Sequence, residues 1–195
     1  MSETISTHAE VTSTGIPSGT LGMWLFLASE VMFFSGRIGA YIVLRASLPT
    51  WPHPGEDLSI PLAAFNTFIL LSSSMTMALG VAAVGNADLK KLRLFLLLTI
   101  ALGSVFLCVK GYEYSIKFAH GHFPGIGIFF DCYFMLTGFH GIHVLAGIIT
   151  NLWVLSLTYR KDFLQRKSHL VNLSGLYWHF VDLVWIFLFP LLYLI

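Results

Sequence analysis

Five mostly apolar stretches, separated by short polar connectors, constrain this 195-residue chain more than any other feature. They run over about 19–46, 61–85, 92–118, 125–159 and 173–195. A helix needs about 20 such residues to cross ~30 Å of hydrocarbon. Hydrophobic residues make up 56% of the chain and charged ones 11%, against about 25% charged in an ordinary soluble domain. A soluble fold of this length cannot hide so much apolar surface, so its solvent is lipid. The expected architecture is all-α: an integral membrane bundle of five transmembrane helices, one domain, behind a flexible polar tail over 1–18. That tail, "MSETISTHAEVTSTGIPSG", lacks the basic n-region of a signal peptide, so no cleaved leader is expected.

The connectors set the orientation. "SLPTWPHPGEDLSI" holds three prolines and a glycine and is expected to be non-helical. "GNADLKKLR" reads as a polar turn and "YRKDFLQRKSHLVN" as a basic connector. These two carry Lys90, Lys91, Arg93, Arg160, Lys161, Arg166 and Lys167, while the opposite side has only Arg45, Lys117 and the edge of the third span. Positive charge stays in the cytoplasm. The N-terminus is therefore expected to be cytoplasmic and the C-terminus outside. No basic stripe exists to bind nucleic acid. Cys108 and Cys132 lie in apolar surroundings without a metal or redox motif and read as buried thiols.

Several polar residues sit where water is scarce. Glu30, in "WLFLASEVMFFSG", is roughly 16 Å along its helix, close to the midplane. A charge at that depth costs several kcal/mol unless it faces protein, lines a cavity or is neutralised. Arg37, two turns further on, can pair with Glu30, bind a lipid phosphate or snorkel outward; snorkelling is the ordinary expectation. His140 and His143 share one helical face, as do His179 and Asp182 on the last span. At similar depths, these four and Glu30 can meet in one buried cluster.

Such a cluster has several readings. Paired histidines can ligate iron, zinc or a haem, but the Glu-x-x-His pairs of a di-iron carboxylate site are missing. Hydrogen bonding between helices is the plainer reading, with Gly138, Gly141 and Gly147 letting backbones approach. Lipid head-group binding and a proton-related role stand beside it. Asn66, Ser72, Ser73 and Thr76, in "NTFILLSSSMTMALG", fit helix packing. Lys110 and Glu113 suggest a local ion pair near the outer interface. Tyr112, Tyr114, Trp51 and Tyr41 suggest an aromatic belt. A transporter is disfavoured, because the five spans offer neither inverted halves nor a pair of broken helices.

"SEVMFFSG", "WPHPG", "NTFILLSSSMT", "GYEY", "GFHGIHVLAG" and "YWHFVDLVWIF" occur in an order and at separations that closely resemble subunit III of the haem–copper oxidases. The likeness covers the chain from Leu21 onward and resembles the short bacterial form, without the two leading helices of longer relatives. It implies a non-redox subunit of a bacterial cytoplasmic membrane oxidase, with haem and copper held by partner subunits. Such a subunit packs beside catalytic subunit I, binds phospholipid, supports proton uptake and durability, and is compatible with a respiratory supercomplex. Glu30 matches the family's carbodiimide-reactive carboxylate. His140 with His143, and His179 with Asp182, match its paired polar motifs. Arg37, Asn66, Lys110, Glu113 and Trp178 are candidate lipid or partner contacts; Lys110 replaces a common glutamine, and Arg37 is a charge the motif does not require. A subunit III-like component of a nitric oxide reductase, or an independent haem or metal enzyme using the histidines, are the alternatives.

Overall fold

A computed structural model describes residues 17–48, 51, 59–160 and 162–194. The polar tail before Pro17, most of the proline-rich connector with its "WPHPG" motif, and Ile195 lie outside the described residues. Six helices are present among them: α1 (Ser18–Ser47), α2 (Ile60–Gly85), α3 (Leu89–Ala119), α4 (Ile128–Leu157), the four-residue α5 (Phe163–Arg166) and α6 (His169–Tyr193). Five of these, all but α5, are long and apolar enough to cross a membrane.

Local chemistry fixes the boundaries. Pro61 stands in the first turn of α2, where its missing N–H costs no helical bond. Asp88 caps α3 by accepting a hydrogen bond from the Lys91 backbone N–H at 3.1 Å. That cap corrects the reading of "GNADLKKLR" as a turn throughout. The turn is confined to Asn86–Asp88, and Leu89–Arg93 are already helical. Beyond α3, Gly121 adopts φ 79°, a left-handed conformation open to glycine and costly for branched side chains. The basic connector after α4 is also more ordered than expected: it forms α5, and α6 begins at His169.

Helices α2, α3, α4 and α6 make the bundle. The α2–α3 contact is the most extensive, and α6 packs on both α2 and α4. The spans alternate in direction, as bonds along each seam show. Arg93 reaches Thr158 at one end of the α3–α4 pair, and Tyr114 reaches Thr137 towards the other. Helix α1 stands at the edge against α6 and α4 and is the least buried span, whereas α6 is the most buried.

Trp178 on α6 fixes the centre. It is fully buried, and its indole N–H donates to Ser73 Oγ on α2 at 3.1 Å. Its ring lies between Gly103 of α3 and Gly147 of α4: a Cβ built on Gly103 would be 2.6 Å from the ring, and one on Gly147 2.8 Å. Trp178 therefore contacts three other helices inside the bundle and is not the lipid or partner contact expected of it. Among the expected close-approach glycines only Gly147 has that role. Cβ atoms on Gly138 and Gly141 would meet nothing nearer than 3.9 Å.

Candidate functional site

The expected single cluster of Glu30, His140, His143, His179 and Asp182 does not form. The five residues divide among separate neighbourhoods: His140 and His143, three apart, diverge by about 60° around the helix axis, whereas His179 and Asp182 both adjoin Ser74.

Glu30 and His143 meet across the α1–α4 seam. Glu30 Oε2 lies 3.0 Å from His143 Nε2, and both side chains are only partly buried. The other ring nitrogen, Nδ1, is 2.7 Å from the Phe139 carbonyl. A carbonyl can only accept, so Nδ1 carries a hydrogen. The Glu30–His143 contact then needs a proton of its own. It is either a neutral carboxylic acid donating to a neutral imidazole, or a carboxylate accepting from an imidazolium. Both states have zero net charge, which suits an acid set in an apolar helix. The Tyr177 hydroxyl donates to the His143 carbonyl at 3.0 Å, tying α6 into the same place.

Arg37 neither pairs with Glu30 nor snorkels outward. Its guanidinium turns back to donate to the Phe33 carbonyl at 3.2 Å, over the Phe33 ring and 4.4 Å from the Phe139 ring centroid. Two aromatic faces partly replace its water.

His140 points into the bundle. It is 1% exposed, stacks on Trp185 at 4.9 Å and meets the Phe106 ring edge-on at 5.7 Å. Neither ring nitrogen has a hydrogen-bond partner among the described residues. His179 Nδ1 lies 2.7 Å from the Ser74 hydroxyl on α2. Asp182 is buried, with Ser74 beside it, yet neither carboxylate oxygen is in hydrogen-bond geometry with a donor among the described residues. Among the described residues, no three His, Cys, Asp or Glu side chains converge as a metal site. Asn66 on α2 donates to the Phe106 carbonyl on α3 at 3.3 Å; it contacts a neighbouring helix and is fully covered, away from lipid.

The densest polar network lies where only a local ion pair was expected. Lys110 and Glu113 are buried, 2.9 Å apart. Lys110 also donates to the Tyr193 hydroxyl at 2.6 Å, and both Tyr133 and Tyr193 donate to Glu113 Oε1, at 2.9 and 2.8 Å. Lys117 Nζ stands 3.9 Å from the same oxygen. The network joins the C-terminal ends of α3 and α6 to the first turns of α4 and rules out Lys110 and Glu113 as open lipid contacts. The expected belt dissolves with it. Tyr41 is buried and donates to the Leu191 carbonyl, Tyr114 donates to Thr137, and only Tyr112 is largely exposed.

Sequence reasoning missed Ser74, Tyr133, Tyr193 and Gly103. Ser74 sits in a visible serine run; the two tyrosines give no signal, because their roles require the register of three helices. Cys132 is buried as expected, whereas Cys108 is exposed on its helix surface.

The fold and these contacts define a class: a multi-pass helical membrane protein whose buried polar groups mostly join its own helices. The family model "Cytochrome c oxidase subunit III" matches residues 2–195. The chain is 37% identical over 176 residues to cytochrome c oxidase subunit 3 of Thermostichus vulcanus, covering 90% of this chain and 86% of that protein. It is 40% identical over 176 residues to the Synechocystis protein of the same name, covering 89% and 74%, and 36% identical over 179 residues to that of Corynebacterium diphtheriae, covering 90% and 87%. This chain belongs to the cytochrome c oxidase subunit III family.

Proposed function

We propose that the chain is the non-redox accessory subunit of a proton-pumping haem–copper terminal oxidase. It packs beside catalytic subunit I in a bacterial cytoplasmic membrane, with its N-terminus inside. Haem and copper belong to the partner subunits. This chain contributes helix surface, bound phospholipid and support for proton uptake. One observation carries the reading: within a chain of this family, His140, His143 and His179 engage aromatic rings, Glu30 and Ser74 separately, so the histidines are used one at a time within the fold. The Glu30–His143 pair, with its one labile proton on a partly open seam, is the feature best suited to a proton-related role.

Mild-detergent extraction followed by native electrophoresis tests the proposal. The chain is expected to migrate with a haem-bearing, many-span subunit and, once separated from it, to show no Soret band. Migration without a haem-bearing partner would overturn the proposal, and a Soret band on the separated chain would favour the independent haem enzyme.

A further inference from the structure

We propose that the outward face of the α1–α4 seam docks a membrane-spanning helix of another subunit, and that this helix presents an Asp or Glu carboxylate to Arg37. The inference rests on the accessory-subunit reading above and gives it a specific contact. Arg37 stands about 7 Å past the middle of α1, inside the ~15 Å half-thickness of the hydrocarbon. A cation at that depth needs a counter-charge or a route to water.

The route to water is not taken. The nearer membrane surface lies beyond the C-terminal end of α1, and a snorkelling side chain would extend towards it. The guanidinium instead folds back by one turn onto the Phe33 carbonyl and ring, with the Phe139 ring of α4 on its flank. Of its five N–H donors, one has an acceptor among the described residues, and that acceptor is a carbonyl without charge. The rest of the fork matches a two-oxygen carboxylate arriving from outside the chain.

A second copy of this chain does not offer that carboxylate from its spans. Four acids lie in the five long helices, and each is engaged or covered. Glu30 is held by His143 at 3.0 Å and Glu113 by Lys110 at 2.9 Å. Asp131 accepts from the Gly125 backbone N–H, and Asp182 is 3% exposed inside the bundle. The face around Arg37 suits a helix. Met135 and Ile142 on α4 are exposed and apolar, and Gly36 and Ala40 on α1 are exposed and small. A Cβ on Gly36 would meet nothing within 4 Å, which leaves room for a partner backbone to come close. A lipid phosphate would have to leave the headgroup layer to reach this depth, whereas a carboxylate on a spanning helix is carried there by its own chain.

The test uses the intact oxidase complex in mild detergent, with native mass spectrometry over time as the readout. Arg37→Leu leaves the partner's carboxylate without its counter-charge, so the chain should dissociate roughly 30-fold faster than in the wild type. Phe139→Leu removes the aromatic bed but keeps the charge and should dissociate close to the wild-type rate. In Arg37→Lys, an apolar carbodiimide should join the introduced amine to an Asp or Glu in a spanning segment of another subunit, which peptide mass spectrometry identifies. Unchanged dissociation of Arg37→Leu overturns the docking, and so does equal acceleration in Phe139→Leu, which would make packing within this chain the cause. A cross-link confined to this chain, or joining two copies of it, also overturns it. Loss of a phospholipid, with the chain retained, from the Arg37→Leu complex transfers the counter-charge to a lipid phosphate and overturns the carboxylate. A wild-type chain that carries no other subunit overturns the accessory-subunit reading and the docking together.

Discussion

Glu30 shows how one residue's chemistry depends on a partner far away in sequence. With His143 Nδ1 donating to the Phe139 carbonyl, the glutamate faces an imidazole nitrogen that shares one proton with it. Glu30→Gln keeps a donor in that position and should leave α1 docked. Glu30→Ala should loosen α1 by about 1 kcal/mol, a usual size for a polar contact between membrane helices. Nitrogen-15 chemical shifts of His143 check the assignment: Nδ1 should remain protonated in both variants, and a deprotonated Nδ1 would refute it. The Lys110–Glu113 network allows a sharper test. Glu113→Gln leaves Lys110 buried without its counter-charge and should cost about 3 kcal/mol. The pair Lys110→Met with Glu113→Leu should be closer to the wild type in thermal unfolding of the complex. A double variant as unstable as the single one would show that the charge pairing is not what matters. That Glu30 and His143 were exceptional was legible in the sequence, since both are polar in apolar runs. Their pairing was not, because it depends on how α1 rotates against α4.

At the scale of the helix, glycines differ by what they face. Gly147→Ala places a methyl 2.8 Å from the Trp178 ring and should destabilise by about 1–3 kcal/mol. Gly138→Ala meets only the Tyr114 hydroxyl at 3.9 Å and should be neutral or stabilising by up to ~1 kcal/mol, the gain in helix propensity. Melting of the purified complex separates the two, and equal effects would show that Trp178 is not the constraint. The α3 cap has its own pH signature. The Lys91 backbone N–H holds the Asp88 carboxyl below its ordinary pKa of 3.8. The folded value is depressed, so the cap contributes fully above that ordinary value and is lost as pH falls through the folded one. Amide exchange at Lys91 should accelerate in that acidic window and become pH-insensitive in Asp88→Asn once intrinsic exchange is subtracted.

For the whole molecule, the basic connectors predict which end faces which compartment. In a Cys108→Ala/Cys132→Ala background, Asn86→Cys should react with an impermeant thiol reagent only from the cytoplasm, and His120→Cys only from outside. The reverse pattern would invert the topology. The number of spans and their limits, to within about four residues, were determined by the sequence, because transfer of apolar side chains into hydrocarbon is a sum over residues and needs no knowledge of neighbours. The depths expected for Glu30, His140, Lys110 and Asp182 rest on the same count. Which of them face each other was decided only by the tertiary structure. Hydrogen bonds and ion pairs are short-ranged and directional, and a rotation of one helix by a fraction of a turn exchanges every partner. Trp178, seated between Gly103 and Gly147 with its indole held by Ser73, fixes three of those rotations relative to α6, and no single span records the result.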